Sequence, residues 1–220
     1  MNVIEAIRSR KSIRGFKPAT VPQEVLREIL EVSVRAPSAL NTQPWEITVV
    51  TGEALENIKK GNLEMLSLGA TPQPDTQRKP YSGIYRQRQI DLAIQIFRLM
   101  GIAREDKEKR ADWQKRGFRL FDAPAAIILS IDRVLDGSAM SVLDIGALMQ
   151  NICLAALHYG LGTCIEDQGV MFPWVIREFT GIPESKRIAV CIAIGYPDWD
   201  FPANKLESGR EMLEKNVSWR

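Results

Sequence analysis

Two nearly unbroken apolar runs of strand length, Ala125 to Ile131 (AAIILSI) and Ile188 to Ile194 (IAVCIAI), constrain this chain more than any other stretch. A strand with one wet face alternates apolar and polar residues, whereas a strand without alternation is covered on both faces. The runs therefore predict a central sheet with helices on either side. Between them, Ser141 to Tyr159 reads as a strongly apolar helix ended by Gly160 and Gly162. Its length would span a bilayer. Asp144, Gln150, Asn151 and His158 make it a buried or interface helix of a soluble protein instead, because polar groups inside a membrane are costly. His158, the only histidine, reads as a satisfied core residue.

At 220 residues the chain is long enough for one substantial core, and one globular domain over 1–220 is expected. Val3, Ile4 and Ile7 lie at helical spacing near the start. Pro22, with Thr20 or Val21 as a cap, opens a helix whose inward stripe is Val25, Leu26, Ile29, Leu30 and Val32 and which Pro37 stops. A turn-rich loop then leads into a strand around Ile47 and Val49, closed by Gly52. Residues 53 to 68 read as an amphipathic helix, and 69 to 83, with three prolines, as a loop long enough to be functional or mobile. Helices follow over Arg86 to about Arg104 and over Glu105 to Arg116. Thr163 to Asp167 reads as a short strand and Trp174 to Phe179 as a short helix.

Several chemistries are set aside by what the chain lacks. A net charge of +2, from 29 basic against 27 acidic residues, gives no bulk argument for nucleic acid or an anionic membrane. The basic excess between Arg86 and Arg119 is interspersed with acids and reads as a solvated face, with a partner surface as the rival. Cys153, Cys164 and Cys191 sit apart in apolar surroundings, as buried thiols of a reducing compartment do, and no apolar leader is visible. A cytoplasmic protein is expected. One histidine removes His-based metal sites and argues against Ser/His or Cys/His catalysis, and no GxGxxG or GxxxxGK[ST] loop follows a strand. An enzyme so equipped needs an external cofactor to carry the chemistry.

The run Arg8 to Arg14 (RSRKSIR) then matters, because it packs four cations and two hydroxyls into seven residues. Two readings stand: a seat for a phosphate dianion, or cations gathered at a helix C-terminus. Four stretches break the tie. Arg8 to Phe16, the loop Ala36-Pro37-Ser38-Ala39-Leu40-Asn41-Thr42-Gln43-Pro44-Trp45, Gly160 to Cys164, and Gly195-Tyr196-Pro197 through Arg210 to Trp219 together resemble the nitroreductase family of FMN-dependent oxidoreductases, in that family's order and spacing.

The resemblance implies an α+β fold: a central mixed β-sheet flanked by helices, with the C-terminal strand around Val217 to Trp219 exchanged in a homodimer. It implies that Arg10, Ser12 and Arg14, with Lys11 beside them, anchor the FMN phosphate, and that Arg210, assisted by Lys205, closes on it. Pro37, Ser38 and Asn41, supported by Gln43, match a loop that reaches the flavin of the other subunit. Cys164, Ile165, Glu166 and Asp167 fall where a strand end passes the flavin ring; no side chain is assigned as catalytic, and a backbone amide among Ile165, Glu166 and Asp167 approaches the ring. Tyr81, Tyr85, Arg86 and Arg88 are expected at the substrate. The implied activity takes hydride from NADH or NADPH and passes electrons to a nitroaromatic, quinone or similar acceptor. Reductive dehalogenation, reduction of an activated C=C bond, and a flavin-binding dimer without turnover are the alternatives. No metal, nucleic acid or membrane partner is expected.

Overall fold

The structure is a computed structural model that describes residues 1–77 and 79–220. Among the described residues four strands, β1 (Trp45–Thr51), β2 (Ala125–Asp132), β3 (Gly162–Glu166) and β4 (Lys186–Gly195), form one sheet in the order β1-β2-β4-β3. The two apolar runs are thus the central pair, and Ala125 to Ile131 is buried without a break. All three strand pairings are antiparallel. The parallel component is a bridge between Ser12 and Thr163, by which the N-terminal basic run joins the outer edge of β3.

Alternation along the central strands distributes their side chains to two cores. Ile127, Leu129, Ile131, Ile192 and Ile194 pack against Leu26 and Ile29 of α2 (Gln23–Ser33) and against Ile145, Leu148 and Ile152 of α6 (Ala139–His158). On the opposite face Ala126, Ile128, Cys191 and Ala193 meet Leu55 and Ile58 of α3 (Gly52–Ser67), Trp113 of α5 (Lys107–Phe118) and Ile176 of α7 (Pro173–Thr180). Each fully buried aliphatic side chain contributes about 1.5–3 kcal/mol of transfer free energy, so this double cover dominates the stability. α1 (Val3–Ser9) lies against α6, and α4 (Gly83–Leu99) packs beside the 3-10 turn Pro202–Lys205.

Three local expectations are corrected. α2 has Pro22 at its N-cap with no side-chain cap, rather than Thr20 or Val21, and Val32 points out at 61% exposure. α5 begins at Lys107, because the Asp106 carboxylate accepts from Lys109 N–H and fixes the cap there. His158 is exposed on α6 in the single chain, edge-on to Tyr159, and is not a core histidine. α6 has the length and hydropathy of a membrane span, yet it buries one face in the core, with Asp144 inside. Met140, Val142 and Leu143 are left exposed near its start.

Candidate functional site

The basic run is built into the fold at its middle. Ile13 N–H donates to Thr163 O at 2.9 Å, and Ile13 is buried at the sheet edge. The approach requires a glycine on β3: a Cβ at Gly162 would lie 2.4 Å from Ile13 Cγ1. Two residues later the chain passes so close over Phe201 that a Cβ at Gly15 would lie 2.2 Å from its ring. Between these contacts Ser12 and Arg14 flank Ile13 on an extended segment, so their side chains leave on the side opposite to the Ile13 anchor.

Residues absent from the sequence-based site hold this segment. The Asn204 side chain, 1% exposed, accepts from Arg14 N–H at 2.7 Å and donates to Gly15 O and Asp198 O, each at 2.7 Å. Arg116 donates to Arg14 O at 3.3 Å, pairs with Asp122 at 3.1 Å and stacks over the Phe201 ring at 4.6 Å. Burial pulls its guanidinium pKa down, against the nearby Asp122 charge. Asn204 belongs to no periodic pattern or charge cluster, and Arg116 falls within the basic stretch read as a solvated face, so neither is marked in the sequence as a support of this segment.

Lys11 turns toward the tail: its ammonium pairs with the Glu207 carboxylate and donates to Asn204 O at 3.2 Å. Arg14 Nη1 donates to Ser12 O at 3.3 Å, and Arg10 is half-buried beside α6, close enough to Cys153 for its charge to act on that thiol. Lys205 and Arg210 are exposed, the latter bonded locally to Ser208 and Gly209. Ser12 and Arg14 therefore meet Cys164 at the β3 edge, with Arg10 toward α6 and Lys11 toward the tail. Burial pushes the Cys164 thiol up to about 12, against the opposing Arg14 charge and a Ser12 hydrogen bond.

Past this point β3 is open. Because Thr163 O faces outward to Ile13, strand alternation turns the N–H and C=O of Ile165 to the same outer edge, where β4 cannot use them. The Ile165 side chain is 37% exposed. Glu166 folds back, its Oε1 accepting from Gly169 N–H at 3.1 Å, while Oε2 is buried without a partner. Burial raises its pKa to about 8, against the Gly169 hydrogen bond. Asp167 continues into the 3-10 turn Gln168–Val170.

The other predicted contacts stand apart in the single chain. Pro37, Ser38, Asn41 and Gln43 form a loop fastened to α6, where both Asp144 carboxylate oxygens accept from Ala39 N–H at 3.2 and 3.3 Å. Asp144 lies nine residues before Cys153, about 13 Å along the helix axis from the part of α6 that Arg10 approaches. Leu40, Asn41 and Gln43 have positive φ (51°, 59° and 46°), and Leu40 is fully exposed. Non-glycine residues held in this region mark a loop shaped for contact. Tyr81, Tyr85, Arg86 and Arg88 are exposed around the start of α4; Tyr81 and Arg86 line a cleft of 520 Å³ with Pro80 and Gln89. Arg88 pairs with Glu211 at 3.1 Å, tying the tail to α4.

The model of the Nitroreductase family matches residues 7–196. Nitrobenzene nitroreductase of Ectopseudomonas oleovorans is 33% identical over 214 residues, covering 96% of this chain and 93% of that protein. 4-nitrobenzoate reductase of Pseudomonas putida is 32% identical, with 94% and 91% covered. Among solved structures, the FMN and NADPH-dependent nitroreductase NfnB of Sphigopyxis sp. strain HMH superposes with a TM-score of 0.94 at 27% identity, over 100% of this chain and 99% of that one.

Proposed function

The chain belongs to the nitroreductase family and is an FMN-dependent NAD(P)H oxidoreductase, and we propose that it delivers electrons to nitroaromatic, quinone or similar conjugated acceptors. The observation that carries the site assignment is the fixing of the Arg10 to Arg14 segment against the open edge of β3.

The residues present fit FMN. A dianionic phosphate wants guanidinium and hydroxyl donors held in place, and Arg10, Ser12 and Arg14 stand on a segment whose two close approaches only glycine permits. A flat ring wants backbone amides along its polar edge, and Ile165 turns its N–H and C=O to the outer edge of β3 beside that seat. When bound, FMN supplies the electron transfer between the nicotinamide and the acceptor. The chain supplies binding and orientation: Arg10, Ser12 and Arg14 hold the phosphate, Arg210 and Lys205 close from the tail, and Lys11 fastens that tail through Glu207. Cys164, Ile165, Glu166 and Asp167 run along the ring. Pro37, Ser38, Asn41 and Gln43 come from a second copy of the chain, because in one copy they are fastened to a different part of α6. Tyr81, Tyr85, Arg86 and Arg88 border the acceptor. No side-chain acid is needed if solvent supplies protons, and catalysis is mostly positioning at roughly 3–3.5 Å between reacting atoms.

Purified protein is expected to carry flavin absorbance or to gain it on incubation with FMN, and to oxidise NADH or NADPH when a nitroarene is present. Arg10→Ala combined with Arg14→Ala should weaken FMN binding by about a hundredfold, two charge-assisted hydrogen bonds at about 1.5 kcal/mol or more each. Unchanged flavin affinity would refute the phosphate assignment, and steady-state rates across nitro, quinone, halogenated and enone acceptors separate the reaction classes.

A further inference from the structure

We infer that Asn204 is the positioning residue of the phosphate seat: its buried amide fixes the backbone of Arg14 and Gly15, and thereby aims the Ser12 and Arg14 side chains. This rests on the FMN reading above.

Three bonds, each 2.7 Å long, leave the Asn204 amide no freedom. The network also fixes which way it faces, since the oxygen meets an N–H and the nitrogen meets two carbonyls; the flipped amide would oppose like with like at all three. Asn204 N–H is itself held by Phe201 O at 3.0 Å, and Phe201 is the ring that Gly15 passes over and Arg116 stacks on. Asp198 closes the loop, donating N–H to Gly15 O at 3.0 Å while its carbonyl accepts from Asn204. Even the backbone carbonyl of Asn204 is used, by the Lys11 ammonium. One residue of the 3-10 turn Pro202–Lys205 thus touches the basic run at Lys11, Arg14 and Gly15, some 190 positions away in sequence. The arrangement has a chemical sense. Donors on a mobile segment lose side-chain and backbone entropy on binding an anion, and a segment already fixed does not.

A seat for the phosphate is distinguishable from a general prop by comparing FMN with riboflavin, which has the same ring and ribityl chain and no phosphate. Flavin-stripped full-length protein carrying Asn204→Ala is titrated with each ligand by fluorescence quenching, and Asn204→Ser, which keeps one small donor and acceptor, provides a milder change should the alanine variant fold poorly. The expected result is FMN affinity reduced about tenfold or more by alanine and less by serine, with riboflavin affinity within about twofold of the parent in both. Equal loss for both ligands, or no loss for FMN, would overturn the positioning role. A parent protein that binds riboflavin as tightly as FMN would instead overturn the phosphate seat itself.

Discussion

At the scale of single residues, Glu166 is a carboxyl strongly altered by its surroundings. Its carboxyl is buried at the end of β3, with Oε2 facing no donor, and burial lifts its pKa from 4.5 to about 8. A raised acid opposes folding as pH increases: above 4.5 the unfolded chain releases this proton while the folded chain keeps it, so the cost grows until about pH 8 and is then constant. Glu166→Gln copies the protonated carboxyl, retains an oxygen for Gly169 N–H and removes the titration. The flavin-free variant should therefore equal the parent at pH 4.5 and exceed it by about 1–3 kcal/mol at pH 8. Denaturant midpoints measured across that range check this; a difference independent of pH would show that Glu166 ionises normally. In the sequence Glu166 was legible as a strand-end position beside the flavin, not as a buried carboxyl. Its raised pKa comes from burial at the end of β3, which no local pattern encodes.

At the scale of elements, the long connection between α3 and α4 is anchored at its middle. Asp75 receives Arg177 at 2.7 Å, Arg133 at 2.9 Å and Ile188 N–H at 2.9 Å, and Thr76 donates to Ile188 O at 3.1 Å. Burial by itself would raise the Asp75 carboxyl; the Arg177 hydrogen bond, the Ile188 N–H and the two guanidinium charges outweigh it and hold the pKa below 3.8. Its stabilisation is therefore present at neutral pH and fades only as pH falls from 3.8 toward the lowered value. Asp75→Ala leaves Arg177, 9% exposed at its side chain, without its main partner, and should cost about 3 kcal/mol at pH 7. Proteolysis should then cut between residues 69 and 82 in the variant before any other site; unaltered cleavage and stability would mean that the proline-rich loop holds itself. The three prolines made the loop legible in sequence, while the anchor was not. The partners of Asp75 lie on β4, α7 and the turn after β2, and only the fold brings them together. By contrast AAIILSI and IAVCIAI were legible as central strands, because cover on both faces removes the polar alternation from such a run, and the helix between them was legible as an element though not in the exposure of His158.

At the scale of the whole molecule, the single chain carries an apolar surface that water should not see. Val3 and Ile7 of α1 are 63% and 51% exposed, Val142 and Leu143 of α6 are 51% and 64%, and Leu40 at the tip of the 37–43 loop is fully exposed. α1 packs on α6, and the loop is bonded to Asp144 of the same helix, so these side chains belong to elements that share α6. Exposed apolar patches shared between packed elements mark interfaces. The sequence resemblance implies a homodimer, and within one chain the two proposed half-sites stand apart: Arg10 to Arg14 lie at β3, and Ser38 and Asn41 lie on the loop bonded to Asp144 of α6. Leu143→Glu tests both together. The glutamate is harmless to an isolated chain, since that position is already in water, but in a dimer it buries a charge with no partner, a cost of several kcal/mol per copy and two copies per interface. The variant is expected to keep native circular dichroism, to sediment at half the parent mass, and to lose FMN although Arg10, Ser12 and Arg14 are untouched. A monomer that retains FMN at parental affinity would place the whole flavin site within one chain, and a variant that remains dimeric would move the interface off this face of α6.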